Sequence, residues 1–383
     1  MFYTEMRSRA MPSWSSFGIH KEKPDCEREK PKGLEVKVGE TIYEIEFGQI
    51  QIEITGKCNM NCQHCRAACQ PNEDMPIGQV IKIIQFARRF SPDYKEVILS
   101  GGEPLMHAYF SHLLERVRST GGKFITLTTN GSFLKKDHLD LIKSLAFDRF
   151  TLSVSLDSLV PEKHDEFRRH RGAYVEAVSA LKLIATYDIP NLIPSMRSTL
   201  QASQICEMQD MVAFAQDIGC KRVGFSAIHP SGRARERKDL WMTREQKRDF
   251  IQEIYRLKGV FPEMNITTSD PLKCLFRGSS EIGGEGELVF DGCGAAAITF
   301  NVNSDGTMTP CALLNLPMMN VFPLTIEQIA EEYRSNEIVR NMLAMNLNGK
   351  CGACSKKYQC GGCRARALME GDYLGEDPHC WLA

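Results

Sequence analysis

Three cysteines within eight residues, Cys58, Cys62 and Cys65, constrain this chain more than any other feature. They follow an apolar alternation, Ile50, Ile52 and Ile54, that reads as a strand from Gln49 to Ile54. The Cys-x3-Cys-x2-Cys loop therefore hangs from the C-terminal end of a strand. Structural zinc closes its shell with four protein ligands, whereas three thiolates on a cubane iron–sulfur cluster leave one iron open to a non-protein ligand. The spacing favours a reactive cluster over a staple, with a zinc knuckle as the alternative.

The remaining chain is long enough to build a protein around that loop. At 383 residues it exceeds the ordinary single-domain size, so two or three units are expected. A formal net charge of -1 gives no electrostatic case for a nucleic-acid partner. Fifteen cysteines would suit a secreted disulfide protein, but the start, Met1-Phe-Tyr-Thr-Glu-Met-Arg7, lacks the apolar run of a signal peptide, which points to the cytoplasm. No run of ~18 apolar residues is present, so no membrane-spanning helix is expected.

Residues 1 to about 33 read as a polar lead-in and Leu34 to Phe47 as one strand pair at most. After the cysteine loop, strands at Glu96–Ser100, Phe124–Thr129, Phe150–Leu156, Leu192–Arg197 and Arg222–Ser226 alternate with helical stripes. One such stripe is Phe110, Leu113, Leu114 and Val117, at i, i+3, i+4 and i+7. Six strand–helix units predict an α/β fold with a parallel sheet curled by right-handed crossovers into a partial (β/α)6 barrel, its functional loops at the strand C-termini. The expected division is 1–47 lead-in, 48–235 barrel, 236–275 bridging helix and linker, and 276–383 a cysteine-rich domain.

Motifs fall where that architecture wants them. Ser100-Gly101-Gly102-Glu103-Pro104 follows the second strand; paired glycines allow close backbone approach, and the adjacent carboxylate can meet an ammonium. Thr128-Thr129-Asn130-Gly131 ends the third strand, Ser153-Val-Ser155-Leu-Asp157 the fourth, Arg197 the fifth, and His229-Pro-Ser-Gly232-Arg233 the sixth. Taken singly these are turns and caps. Together with Cys58, Cys62 and Cys65 the chain resembles the radical S-adenosylmethionine (radical SAM) superfamily. That resemblance implies a 4Fe-4S cluster on the three cysteines and reductive cleavage of S-adenosylmethionine to a 5′-deoxyadenosyl radical. It further implies His64 at the aromatic position before the third cysteine, and the segment Gly101, Gly102, Glu103 and Pro104 at the methionyl amine. Thr128, Asn130, Ser155 and Asp157 would reach the ribose and carboxylate, and Arg197 would pair with the carboxylate.

Beyond residue 275 the cysteines return as Cys293-x12-Gly306-x4-Cys311 and Cys351-x2-Cys354-x5-Cys360-x2-Cys363, with Cys380 last. This resembles the SPASM extension, which binds two auxiliary iron–sulfur clusters. The last short gap, Cys360-Gly-Gly-Cys363, has two residues where the commonest motif has three. By the resemblance, Cys351, Cys354, Cys360 and Cys380 hold an outer cluster. Cys293, Cys311 and Cys363 hold an inner one, with Cys274 a candidate fourth ligand. Two Cys-x2-Cys zinc sites are the alternative. Cys26, Cys69, Cys206 and Cys220 read as ordinary small hydrophobes.

The implied enzyme abstracts a hydrogen atom from an unactivated carbon. Its expected substrate is a ribosomally made precursor peptide, crosslinked or otherwise oxidised. The alternatives are a small molecule, as in oxidative decarboxylation of a porphyrin propionate, and a silent iron–sulfur electron carrier. A sulfatase-type maturase fits less well, because Ala312 stands where that subgroup places an acid after the cysteine matching Cys311. No catalytic base is assigned. An external one-electron donor of flavodoxin or ferredoxin type is implied. Because about 47 residues precede the first barrel strand, recognition of a peptide leader is expected to fall to a separate protein or to the chain's own cavity, and not to an attached leader-binding domain.

Overall fold

The computed structural model describes residues 18–21, 33–68, 70–91, 96–276, 287–289 and 292–382, the side chains of 18–21 and 287–289 excepted. Cys26 and Cys69 lie outside the described residues. The chain opens with β1 (Gly18–Lys21), β2 (Leu34–Val38) and β3 (Thr41–Ile45), and the barrel begins at β4 (Gln49–Thr55). Then come α1 (Ile77–Phe90), β5 (Glu96–Gly101), α2 (Phe110–Ser119), β6 (Phe124–Thr129), α3 (Lys136–Leu145) and β7 (Arg149–Ser155). They are followed by α4 (Pro161–Arg168), α5 (Ala173–Ala185), β8 (Leu192–Leu200), α6 (Met208–Asp217), β9 (Arg222–Ala227), α7 (Arg244–Val260) and β10 (Asn265–Thr267). The C-terminal part holds β11 (Glu287–Val289), β12 (Thr299–Val302), β13 (Thr307–Thr309), β14 (Met319–Asn320), α8 (Ile326–Ser335) and α9 (Glu337–Ala344). Three short helices end the chain: α10 (Gly349–Ala353), α11 (Lys357–Cys360) and α12 (Arg364–Met369).

Strands β4 to β9 run parallel in chain order, as the alternation of strands and helices predicts, and β10 adds a further parallel strand beside β9. On the other edge β12 pairs in parallel with β4, and β13 and β14 extend the sheet antiparallel. The segment carrying Cys293 and Cys311 is thus built onto the first barrel strand, and Gly306, at φ +86°, makes the β12–β13 turn. Leu34 to Phe47 forms the single strand pair expected, β2 with β3, but the segment read as polar lead-in adds β1, which joins β3 and β11 in a four-stranded sheet of order β11-β1-β3-β2. A strand donated from the distant C-terminal half could not be read locally.

The two faces of the barrel sheet differ. Ile50, Ile52, Ile54, Val97, Leu99, Ile125, Leu127, Leu152, Val154, Val223 and Phe225 are buried in one core with the helices. The alternate residues, Glu53, Ser100, Thr128, Ser153, Ser195 and Arg222, stand on the inner face, where the strand register pairs Glu53 with Ser100, Thr128 with Ser153, Ser153 with Ser195 and Ser195 with Arg222. A packed barrel core would be filled with branched apolar side chains. This interior is polar, which suits a ligand chamber.

Candidate functional site

The cysteine loop leaves β4 and is tied to the ends of four other barrel strands. Thr55 O accepts the Gly102 N–H at 2.8 Å and Lys57 O accepts the Glu103 N–H at 2.7 Å, so the glycine segment after β5 lies along the loop's first residues. A Cβ on Gly101 or Gly102 would collide with those same carbonyls. The glycines are therefore required by the approach of the cysteine loop, where the sequence suggested approach to a ligand. Asn130, after β6, donates its side-chain amide to Asn59 Oδ1 at 2.8 Å. Arg233, after β9, donates its backbone N–H to Cys65 O and Nη1 to Cys62 O, both at 3.0 Å. Gly232, at φ +55°, sits so close to Cys65 and Arg66 that no Cβ fits.

Helix α4, which follows β7, completes the enclosure. Gln63 N–H donates to Phe167 O at 2.9 Å, and the His64 ring stacks on Phe167 at 4.4 Å with the planes 8° apart. Burial pushes the His64 imidazole down to about 4, so the ring is neutral, and its Nδ1 has no partner. Arg168 places Nη1 3.9 Å from Cys62 Sγ. The same arginine takes the carboxylate of Asp157, with Nη2 at 2.6 Å and Nε at 2.7 Å, while Asp157 Oδ1 accepts the Thr199 N–H at 2.8 Å. Asp157, read as a cofactor contact, is turned toward this arginine, which the sequence reading did not single out.

Glu103 is fully buried and heavily engaged. Its Oε1 accepts from Thr129 Oγ1 at 2.7 Å and Leu105 N–H at 3.1 Å, and its Oε2 accepts from Asn130 N–H at 2.7 Å. Burial raises the Glu103 carboxyl, and the hydrogen bonds from Asn130, Thr129 and Leu105 pull it back down. Pro104 is buried at the start of the turn that follows. Ser155 and Arg197 face each other across β7 and β8, and Thr128 stands beside Ser153. The Arg197 guanidinium donates to Ser226 Oγ at 2.7 Å, and burial, with Arg222 and Arg66 nearby, pushes it down to about 10. The half-buried cation has one hydroxyl partner and feels Asp157 as its nearby anion.

The three loop thiols are free and interact electrostatically with one another. Cys58 is exposed and Cys65 half-buried; desolvation within the loop and the neighbouring thiols raise both, Cys58 to about 11. Among the described residues no three His, Cys, Asp or Glu side chains converge as around a single ion. The fit to a cluster rests on the thiol donor set and its open enclosure.

In the C-terminal part, Cys293, Cys311 and Cys363 influence one another, and burial pushes Cys311 to about 12 and Cys363 to about 11. Cys380 feels Cys360 and Cys351. The Cys293 N–H donates to Cys360 O at 2.9 Å, which joins the two sets. Cys354 accepts the Lys356 N–H at 3.4 Å. Cys274 lies beside Cys360, a member of the outer set, and raises its thiol, where the sequence made it a candidate for the inner one. Gly361 and Gly362 both adopt positive φ, +64° and +58°, which accounts for the two-residue gap. Of the cysteines read as ordinary, Cys220 is buried and Cys206 exposed.

Arg66, directly after the third loop cysteine, pairs with Glu53 on the inner face of β4, and its Nη1 also reaches Ala312 O at 3.4 Å, next to Cys311. It thereby links the two cysteine regions across the chamber. A separate surface cleft of about 830 Å³, between Ala202–Glu207 and α7, contains none of the motif residues.

Comparison with known proteins accords with this geometry. The Radical SAM superfamily pattern matches residues 52–201. The AdoMet-dependent heme synthase of Methanosarcina barkeri (strain Fusaro / DSM 804) is 29% identical over 348 residues, covering 86% of this chain and 94% of that protein. The antilisterial bacteriocin subtilosin biosynthesis protein AlbA of Bacillus subtilis (strain 168) is 23% identical, over 86% of this chain and 70% of its own. Among solved structures, Streptococcus suis SuiB bound to its precursor peptide SuiA superposes with a TM-score of 0.72 at 18% identity, over 88% of this chain and 77% of that one. The fold, the motifs at the strand ends and the family match agree that residues 52–201 carry a radical SAM domain.

Proposed function

We propose that this radical SAM enzyme acts on a carboxylate-bearing small molecule of tetrapyrrole type, removing a propionate carboxyl oxidatively. The observation that carries this reading is the likeness to a heme synthase over 94% of that protein's length. The polar inner face of the barrel, with Arg66, Arg197 and Arg222 on or beside it, supports an anionic ligand. A 4Fe-4S cluster at Cys58, Cys62 and Cys65 would supply the electron that cleaves S-adenosylmethionine. The chain's own part is to hold the cofactor. Glu103 suits the methionyl ammonium, Arg197 its carboxylate, and Ser155, Thr128 and Asn130 the polar edge nearby. Cluster and S-adenosylmethionine held there would supply radical abstraction of one hydrogen atom, here from the carbon β to the substrate carboxylate. Carbon dioxide and one electron would then leave, giving a vinyl group. The two C-terminal cysteine sets, read as a SPASM domain, would hold the acceptor for that electron, and an external donor of flavodoxin or ferredoxin type would supply the first one.

A ribosomally made peptide is the second reading, favoured by the fold shared with SuiB and by the likeness to AlbA. Among the described residues no helix is long and apolar enough to cross a membrane, and we place the reaction in the cytoplasm. The test is anaerobic reconstitution, expected to give about twelve irons per chain if three four-iron clusters form, followed by S-adenosylmethionine, dithionite and iron-coproporphyrin III. Formation of 5′-deoxyadenosine with loss of carbon dioxide from the porphyrin is the expected result. 5′-Deoxyadenosine with an untouched porphyrin and a modified precursor peptide would install the second reading. Iron-loaded protein that forms no 5′-deoxyadenosine would remove both.

A further inference from the structure

Two buried arginines reach cysteine sulfur from opposite parts of the molecule. Arg168 Nη1 lies 3.9 Å from Cys62 Sγ, and Arg364 Nη2 lies 3.7 Å from Cys351 Sγ. Each guanidinium is fixed from behind. Asp157 holds the Nε and Nη2 edge of Arg168. The carbonyls of Tyr373 and Gly375 accept from Arg364 Nη1 at 3.1 and 2.6 Å. The planar fork of arginine has a fixed direction for each donor, so these contacts hold Arg168 Nη1 and Arg364 Nη2 facing their thiols, while the buried Nε of Arg364 has no partner. Arg364 is 0% exposed and Arg168 8%. Burying a cation is expensive, and here the charge is aimed at sulfur.

We propose that Arg168 and Arg364 are positioning residues that set the reduction potentials of two separate iron–sulfur centres, Arg168 through Cys62 and Arg364 through Cys351. The inference rests on the reading of Cys58, Cys62 and Cys65, and of Cys351, Cys354, Cys360 and Cys380, as cluster ligands. Hydrogen bonds and charge at the ligand sulfurs are among the features that set the potential of such centres. A fixed cation beside a sulfur stabilises the more negative, reduced form, so it raises the potential and makes the electron easier to load. Both groups are buried and sit at different cysteines, so each should govern its own centre.

The test uses the full chain, reconstituted anaerobically and titrated electrochemically with electron paramagnetic resonance detection, with and without S-adenosylmethionine. The signal that changes on adding S-adenosylmethionine marks the centre at Cys62. Arg168→Gln should lower its reduced-to-oxidised ratio at a fixed potential by about tenfold, about 59 mV for a one-electron couple, and leave the insensitive signals in place. Arg168→Lys, which keeps the charge, should stay near wild type. Arg364→Gln should shift an insensitive signal alone. Because Arg168→Gln leaves Asp157 buried without its partner, the double variant Asp157→Asn/Arg168→Gln repeats the measurement with both charges of the pair removed. Unchanged midpoints in iron-loaded Arg168→Gln and in the double variant would overturn the proposal, as would equal shifts of all signals from either arginine. Wild-type chain that takes up no iron would instead overturn the ligand assignment beneath it.

Discussion

Glu103 is fully buried and Arg197 half-buried, and the fold gives the first three donors and the second a single hydroxyl. Three donors, from Thr129, Asn130 and Leu105, already point at the Glu103 carboxylate. In Glu103→Gln an amide NH2 must face at least one of them, leaving a buried donor unpaired at a cost of about 1–3 kcal/mol. We expect a lower melting temperature and, if the carboxylate meets the methionyl ammonium, S-adenosylmethionine binding weakened by about tenfold in equilibrium dialysis. Lower stability with unchanged binding would make Glu103 a clamp between the glycine segment and β6 and nothing more. Arg197 should behave oppositely. Its hydrogen bond goes to a hydroxyl and its neighbours Arg222 and Arg66 are also cations, so Arg197→Met should hold or raise the stability of the ligand-free chain while cofactor binding falls tenfold or more. A destabilised variant with normal binding would assign Arg197 to the fold.

At the scale of elements, what the sequence showed depended on whether an element announced itself by apolar spacing. The six barrel strands and most of their helices did: Phe110, Leu113, Leu114 and Val117 are all buried on α2, as their spacing requires. Helix α4 did not. Its sequence, Pro-Glu-Lys-His-Asp-Glu-Phe-Arg, offers a single large apolar residue, Phe167, yet the structure buries His164, Phe167 and Arg168 from it. A periodicity search cannot see a helix whose buried face is polar; Pro161 at its first position and Glu162 in its first turn were the available signals. The role of the Gly232 turn was hidden for a different reason, since its partner Cys65 is remote in sequence. Gly232→Ala should force a side chain into the backbone of Cys65 and Arg66, at a φ that disfavours it. The expected result is loss of the iron signal that responds to S-adenosylmethionine, with the other iron retained. Full iron and unchanged spectra in that variant would mean that the turn does not shape the loop.

Over the whole molecule, the barrel and the C-terminal cysteine region meet through a buried charge network. Lys247 of α7 and Arg366 of α12 share Asp270, and Arg366 also holds Asp377, whose Oδ2 accepts the Cys363 N–H at 2.7 Å. These positive neighbours hold Asp270 well below the usual carboxylate range and lower Asp377 despite burial, so the contribution of the carboxylates is present above about pH 4 and lost below it. His229 lies among the same charges. Burial, with Arg366 and Lys247, pushes it down to about 3, and burial pushes His164 to about 4, where its Nδ1 accepts the Asp157 N–H. Unfolded histidine takes its proton near pH 6.5. Between that value and the folded one, the unfolded chain binds more protons, so stability is full above about pH 6.5 and declines as the pH falls, by about 1.4 kcal/mol per unit for each such histidine. Urea unfolding of the metal-free chain from pH 7.5 to 5 should show this decline well before the carboxylates respond. His229→Asn should make the slope shallower by about one proton. A slope identical to wild type in that variant would show that His229 is free to titrate, and that the seam between the barrel and the C-terminal region is open to water.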